Sequence, residues 1–460
     1  MLKKLFLILL LIASCTSNQE DTQDTAVKNE QIKQEIVENI TTTIVQSESE
    51  EIADTLLDKT KPEYVNKQLK TFEFENCKDF SGSELNVVCE DSAQIINSFI
   101  FENEVVDIVE FNSQFYVVLK RGLIYRLDLT TGDKELFINY EDKISFIGEG
   151  GLLGVAFSEL TNEFLVSYVN TSGYLVFEIN QYDKNVDSVT STEEILKLRN
   201  YSRVHFSGNV IWSNYFNDFL IGIGDFAGNA DNPSLNSYPQ DTSSYLGKIL
   251  LLRKNVNYNK ILLTTSSELN EPLNNIVAYG FRNPWKFFEV NESLYIFDVG
   301  LADYEELNIL KYSKSPGNFG WPYFEGIFRS QDINGIENYS LNLNFETNTQ
   351  YNSFNEYIEY ENTLPEVFYK HKVNSSVYRT AIIGGDLIRD PNSLFNLNII
   401  FADFLSNEIF AYDLTSGSLS IIPTKNIEGT TSIKYLDNGR ILLTTTSGFV
   451  HIIELPKTKN

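Results

Sequence analysis

From about residue 95 onward the chain is a succession of short apolar runs with turn residues between them. Val105 to Phe111, Phe115 to Leu119, Leu123 to Leu129, Phe164 to Val169 and Tyr174 to Ile179 are early examples. Ile399 to Phe401, Ile409 to Leu414, Ser432 to Tyr435 and Ile441 to Thr445 are late ones. β-Branched and aromatic residues fill the runs, and Gly, Asn, Asp and Ser punctuate them. That pattern predicts an all-β fold, with helical periodicity nearly absent from the body. One stretch is echoed. Leu123-Ile-Tyr-Arg-Leu-Asp-Leu-Thr-Thr-Gly-Asp133 resembles Glu408-Ile-Phe-Ala-Tyr-Asp-Leu-Thr-Ser-Gly-Ser418. Each reads as a strand, a polar turn with Gly supplying positive φ, and a next strand. Repetition of such a unit suits propeller blades, with an array of β-sandwiches as the alternative.

The N-terminus reads as an address. Lys3 and Lys4 precede an apolar run, Leu5 to Ile12, too short to span a bilayer, and Ala13-Ser14-Cys15 follows. This resembles a bacterial lipoprotein signal over residues 1–14, with Cys15 acylated as the mature N-terminus; an ordinary signal peptide with a chance Cys is the alternative. The chain is then expected to be exported and lipid-anchored, on the periplasmic face of the outer membrane or at the cell surface. Residues 15–75 read as an acidic, disordered tether: 19–60 alone hold 11 acidic and 3 basic residues and no aromatic ring. Residues 76–94 lead into the body. An oxidising compartment permits a Cys77–Cys89 disulfide there, contributing about 3 kcal/mol, with two unpaired thiols as the alternative.

The formal net charge of −27 excludes a nucleic-acid binder, which needs a basic face to neutralise phosphates. Chemistry-bearing residues cluster instead at strand ends. The segments are Gly148-Glu-Gly-Gly-Leu-Leu-Gly154, Val204-His-Phe-Ser-Gly-Asn209, Gly222-Ile-Gly-Asp-Phe-Ala-Gly-Asn229, Ala278-Tyr-Gly-Phe-Arg-Asn-Pro-Trp285, Phe297-Asp-Val-Gly300 and Asn318-Phe-Gly-Trp-Pro322. With Tyr245-Leu-Gly-Lys-Ile-Leu250, Glu305-Glu-Leu-Asn308 and Gly384-Gly385, their order resembles the glucose/sorbosone dehydrogenase family over about residues 100 to 455. That family includes soluble quinoprotein aldose dehydrogenases, which use pyrroloquinoline quinone (PQQ) and Ca²⁺ on a six-bladed β-propeller. The resemblance implies six four-stranded antiparallel blades over residues 95–456, roughly 60 residues each. It also implies oxidation of a sugar C1 hydroxyl to the lactone.

Site residues follow from the same resemblance. His205 would be the general base, a role imidazole suits because its pKa lies near operating pH. Arg282 and Asn283 would face the quinone oxygens, where a fixed cation stabilises charge developing on reduction. Glu149 would orient the quinone or cap a turn. The backbone carbonyls of Gly300 and Leu301 would bind Ca²⁺. Asp225 and Asp298 either orient loops, bind metal or accept turn N–H bonds. The role of His371 is undecided, and His451 reads as structural. Trp212, Trp285 and Trp321 line a sugar surface or fill blade cores. One departure stands out. The family places cations around the acidic cofactor from the last two blades, whereas Asp403-Phe-Leu-Ser-Asn-Glu408 and Asn426-Ile-Glu-Gly-Thr-Thr-Ser432 offer none. Three cofactor carboxylates left uncompensated in a dry pocket would cost several kcal/mol, so Arg379, Lys434 and Arg440 become the candidate partners. A sugar-oxidising enzyme with an unknown electron acceptor is therefore expected. The alternatives are a non-catalytic propeller that binds a glycan or protein and a Ca²⁺-dependent lactonase-type hydrolase.

Overall fold

The strands of this chain close on themselves into a ring of six antiparallel sheets. The structure is a computed structural model and describes residues 86–200, 202–227, 238–252, 275–301, 304–313, 315–326, 328–329, 363–371 and 378–457. Cys15, Cys77 and the acidic segment lie outside the described residues. Blade one holds Val105–Phe111, Gln114–Leu119, Leu123–Leu127 and Lys134–Asn139; blade two holds Leu152–Phe157, Glu163–Val169, Tyr174–Asp183 and Ser188–Arg199. Blade three holds Ser207–Ser213, Asp218–Ile223, Lys248–Leu252 and Ile276–Tyr279; blade four holds Pro284–Val290, Ser293–Asp298, Tyr304–Lys311 and Val367–Lys370. Blade five holds Ile382–Leu387, Asn398–Asp403, Ile409–Asp413 and Ser418–Ile422. Blade six takes Thr430–Asp437, Arg440–Thr445 and Phe449–Glu454, and receives its outer strand, Gln94–Ile100, from the start of the body. The first strand of each blade touches the first strands of the two neighbouring blades, which closes the ring. The six-bladed all-β expectation holds, and among the described residues there is no α-helix.

Two blades carry a fifth, parallel edge strand. Gly317–Asn318 lies beside Ile276–Tyr279 in blade three, and Asn86–Cys89 lies beside Ser418–Ile422 in blade five. The segment expected to lead into the propeller thus contributes a strand to it. The echoed sequence forms the same hairpin in blades one and five. Asp128 Oδ1 accepts the Thr130 and Thr131 amides, as Asp413 Oδ1 accepts those of Thr415 and Ser416. Gly132 and Gly417 close the two turns at φ 81° and 68°.

Each sheet is covered on both faces, so successive residues of a strand feed opposite cores. Ile249 and Leu251 pack between blades three and four, whereas Leu250 and Leu252 pack between blades two and three. This explains the unbroken run Lys248-Ile-Leu-Leu-Leu252. The six large apolar clusters each draw on two successive blades, so the core is a wheel of wedges.

Among the described residues the axis is crossed by one ion pair. Lys286 of blade four reaches Asp107 of blade one, three blades away, with Nζ 2.6 Å from Oδ2. The Ser432 hydroxyl of blade six donates to the other carboxylate oxygen at 2.7 Å. Gly384 and Gly385 make room beside it. A Cβ on Gly384 would lie 2.2 Å from the Lys286 Cβ, and one on Gly385 would lie 1.6 Å from the Ile400 carbonyl oxygen. Gly385→Ala is therefore expected to cost about 3 kcal/mol, the upper end of ordinary overpacking. Gly439→Ala, where nothing lies within 4 Å, should cost only the ~1–2 kcal/mol of a left-handed backbone. Urea denaturation of both variants checks the difference.

Candidate active site

The first strand of each blade begins where its second strand ends, as Ser207 opposite Ile223, Pro284 opposite Asp298 and Ile382 opposite Asp403 illustrate. Loops at these ends share one mouth of the ring, and hydrogen bonds tie them together. The Ser207 amide donates to Asn283 Oδ1 at 2.9 Å, and the Ser207 hydroxyl donates to the Pro284 carbonyl at 2.5 Å. Glu149 joins the same set, because its Oε2 accepts the His205 amide at 2.7 Å.

At this mouth, His205 Nδ1 lies 2.7 Å from Asp225 Oδ1. The other Asp225 oxygen accepts the Trp321 indole N–H at 2.8 Å, and Oδ1 also takes the Ala227 amide at 2.7 Å. Burial works to raise the Asp225 carboxyl. The His205 charge and hydrogen bond, with Arg282 and the Ala227 amide, outweigh it and hold the carboxyl below its usual value. An ionised Asp225 can only accept, so Nδ1 carries the hydrogen of this bond, and Nε2 is the ring nitrogen left for another partner.

Arg282 stands next to this pair. Its carbonyl accepts the Asp225 amide at 2.8 Å, its Nη1 donates to the Val299 carbonyl at 3.0 Å, and its Cζ lies 5.9 Å from the Trp321 ring centroid. Its Nε is buried with no acceptor among the described residues. The Arg282 and Asn283 amides both donate to Asp298, at 3.0 and 2.7 Å, so Asp298 orients the loop rather than facing a ligand. Burial dominates there and pushes the Asp298 carboxyl up to about 7.

Gly300 and Leu301 are held by their amides. Gly300 donates to Glu305 Oε2 at 3.1 Å and Leu301 to Glu325 Oε1 at 2.8 Å. A Cβ on Gly300 would sit 1.7 Å from the Tyr304 carbonyl oxygen, so only glycine fits. Glu305 is fully buried and also takes the Ala381 and Ile382 amides at 2.8 and 3.0 Å, stitching blade four to blade five. His371 Nε2 lies 2.6 Å from Glu305 Oε1. Burial alone would lower the His371 pKa, but the Glu305 charge raises it. His371 thus supports Glu305 and does not join His205. Among the described residues, no three His, Cys, Asp or Glu side chains are grouped to hold a metal.

The three cations considered for an acidic ligand are all engaged. Arg379, 1% exposed, makes a two-pronged pair with Glu408 (Nε–Oε2 2.7 Å, Nη2–Oε1 3.1 Å). Lys434 pairs with Asp386 at 2.9 Å, and Arg440 pairs with Asp437. His451 bonds Ser98 across the two outer strands of blade six. Trp212 and Trp285 pack against blade cores. Only Trp321 of the three tryptophans reaches the dyad.

The Tyr245–Leu250 motif has a separate explanation. Lys248 is fully buried and donates to the carbonyls of Tyr238, Pro239 and Leu246 at 2.8, 2.9 and 2.8 Å. Burial pulls its pKa from 10.5 down to about 7. The unfolded chain therefore holds this proton more tightly, and the Lys248 contribution to stability grows as pH rises from about 7 to about 10. Subtracting the denaturation free energy of Lys248→Met from that of wild type at pH 7 and pH 9 should give a larger difference at pH 9.

The family model for Glucose / Sorbosone dehydrogenase matches residues 108–340. A glucose dehydrogenase structure aligns at a TM-score of 0.55 and 11% identity, over 80% of this chain and 100% of its own. The apo-form of the soluble aldose sugar dehydrogenase of Escherichia coli aligns at 0.53 and 12%, over 80% and 99%. A Thermus thermophilus oxidoreductase of the glucose dehydrogenase type aligns at 0.52 and 13%, over 79% and 99%. Identities this low speak for the fold alone. No curated protein matches the chain.

Proposed function

The chain belongs to the glucose/sorbosone dehydrogenase family, and from that premise we propose that it oxidises the C1 hydroxyl of an aldose sugar to the lactone, with PQQ and Ca²⁺ as cofactors. The observation that carries this reading is the His205–Asp225 pair with the unsatisfied Arg282 Nε beside it. A buried guanidinium N–H without an acceptor leaves a place for an oxygen that the protein itself does not supply. A quinone carbonyl is such an oxygen, which is how the reacting end fits the cofactor. Arg282 and Asn283 would hold that end, with Glu149 fixing the loop beneath it. Gly300 and Leu301 have their amides taken by Glu305 and Glu325, and offer a cation their carbonyls. Bound there, PQQ supplies a two-electron acceptor for the C1 hydride and Ca²⁺ a Lewis acid.

The protein's own part is proton transfer and positioning. His205 Nε2 takes the C1 hydroxyl proton, and the anionic Asp225 stabilises the imidazolium that forms. Trp321 fixes Asp225 from its other oxygen and lays its ring against Arg282. The test is a titration of purified protein with PQQ and Ca²⁺, followed by dye reduction with a panel of aldoses. Cofactor uptake and turnover are expected; the absence of both would remove the reading. One observation favours a second reading, a propeller that binds a glycan or protein without chemistry. Arg379, Lys434 and Arg440 are already neutralised by carboxylates, so none of them awaits the three carboxylates of PQQ. A protein that takes up no cofactor yet retains a sugar polymer would meet that reading.

A further inference from the structure

Arg203, His205 and Ser207 all hold left-handed backbone, with φ of 66°, 55° and 53°. Such conformations persist at side-chain-bearing residues only where the surroundings fix them, and they gather at functional sites. Here the fixing groups are specific. The Arg203 amide donates to Asn200 Oδ1 at 3.0 Å, and its carbonyl accepts the Glu149 amide at 3.0 Å. Glu149 in turn grips the His205 amide at 2.7 Å. Gly148 closes the grip, since a Cβ there would lie 2.1 Å from the Arg203 carbonyl oxygen. The Arg203 backbone is thus fixed relative to the dyad, two residues from His205, while the residue is exposed at the mouth.

Its guanidinium differs from the paired cations of the ring. Lys286, Arg379, Lys434, Arg440 and Arg126 each pair with a carboxylate. Among the described residues no carboxylate pairs with Arg203. In a chain this acidic, a rigidly mounted arginine beside the base and without an anion is a recognition element for one.

We propose that Arg203 binds a carboxylate of the ligand lying over His205, brought either by the quinone cofactor or by an acidic sugar of the uronic type. The inference rests on the dehydrogenase reading of the site. It places the missing positive charge on the link between blades two and three rather than on the last two blades.

Full-length wild type, Arg203→Gln and Arg203→Lys would be titrated calorimetrically with PQQ in the presence of Ca²⁺, and separately with glucuronate. Arg121→Gln serves as the control, because that exposed arginine lies over Phe146 at 5.4 Å. Since Arg203 is exposed, its variants should match wild type in circular dichroism and melting. Weakening of PQQ binding by about tenfold in Arg203→Gln, partly restored in Arg203→Lys, supports the proposal with the cofactor as source. Unchanged PQQ binding with about tenfold weaker glucuronate binding supports it with the sugar as source. Unchanged affinity for both overturns it, and leaves the dehydrogenase reading standing if the wild type takes up PQQ and oxidises aldoses. A wild type that does neither removes that reading, and the glucuronate titration then decides Arg203 alone.

Discussion

Replacing His205 with Asn is expected to lower kcat for aldose oxidation by roughly 10²- to 10⁴-fold, the usual worth of a positioned general base. Asn is the substitution of choice because it tolerates the left-handed φ of 55° that His205 adopts. Its amide N–H would still reach Glu149, so the loop should keep its place. What it lacks is the ring nitrogen that takes the proton. Cofactor binding by absorbance should change little, which separates a lost base from a lost pocket. Asp225→Asn probes the same pair from behind. It removes the charge that dictates which His205 nitrogen carries hydrogen, so turnover should fall although the ring stays in place. Full activity in the His205 variant would refute the assigned base.

The largest stability effect is expected away from the mouth. Lys286→Met removes one end of the Lys286–Asp107 pair and leaves a buried carboxylate held only by the Ser432 hydroxyl and the Ile108 amide, both on Oδ1. Breaking a buried pair from one side costs about 3–5 kcal/mol, whereas removing both charges is often nearly neutral. Lys286→Met combined with Asp107→Asn should therefore recover most of the loss, because the amide oxygen still accepts from Ser432. Chemical denaturation of the two single variants and the double variant measures the coupling directly. A double variant as unstable as the sum of the singles would mean that the two residues act independently.

Much of the ring was legible because its evidence is local. Alternating runs, turn glycines and the echo around Asp128 and Asp413 report contacts within a few residues. The Gly384–Gly385 pair was visible as a motif, but its reason was not, since the atoms it avoids belong to Lys286 and Ile400. The same limit applied at the site. His205 and Arg282 stood out by residue type and family order. That Asp225 is the partner of His205, and that Trp321 holds Asp225, depends on pairs 20 and 96 residues apart. An Asp after a strand reads equally as a turn former, and a Trp reads as core. The occupied state of Arg379 was hidden for the same reason: Glu408 is 29 residues further on. Ring closure left least trace of all. Gln94–Ile100 carries no mark that its partner is Phe449–Glu454.

That closure sets a schedule for making the protein. Ribosomes release the outer strand of blade six among the first described residues and its three partners last. Until residue 454 emerges, Gln94–Ile100 has no neighbour of its own sheet, and the apolar wedge between blades six and one has only one side. Blades one to five can assemble as they appear, but the ring locks only once Phe449–Glu454 is available. A chain that stalls late therefore presents an open seam with two unsatisfied sheet edges, a substrate for chaperones or for a second stalled copy.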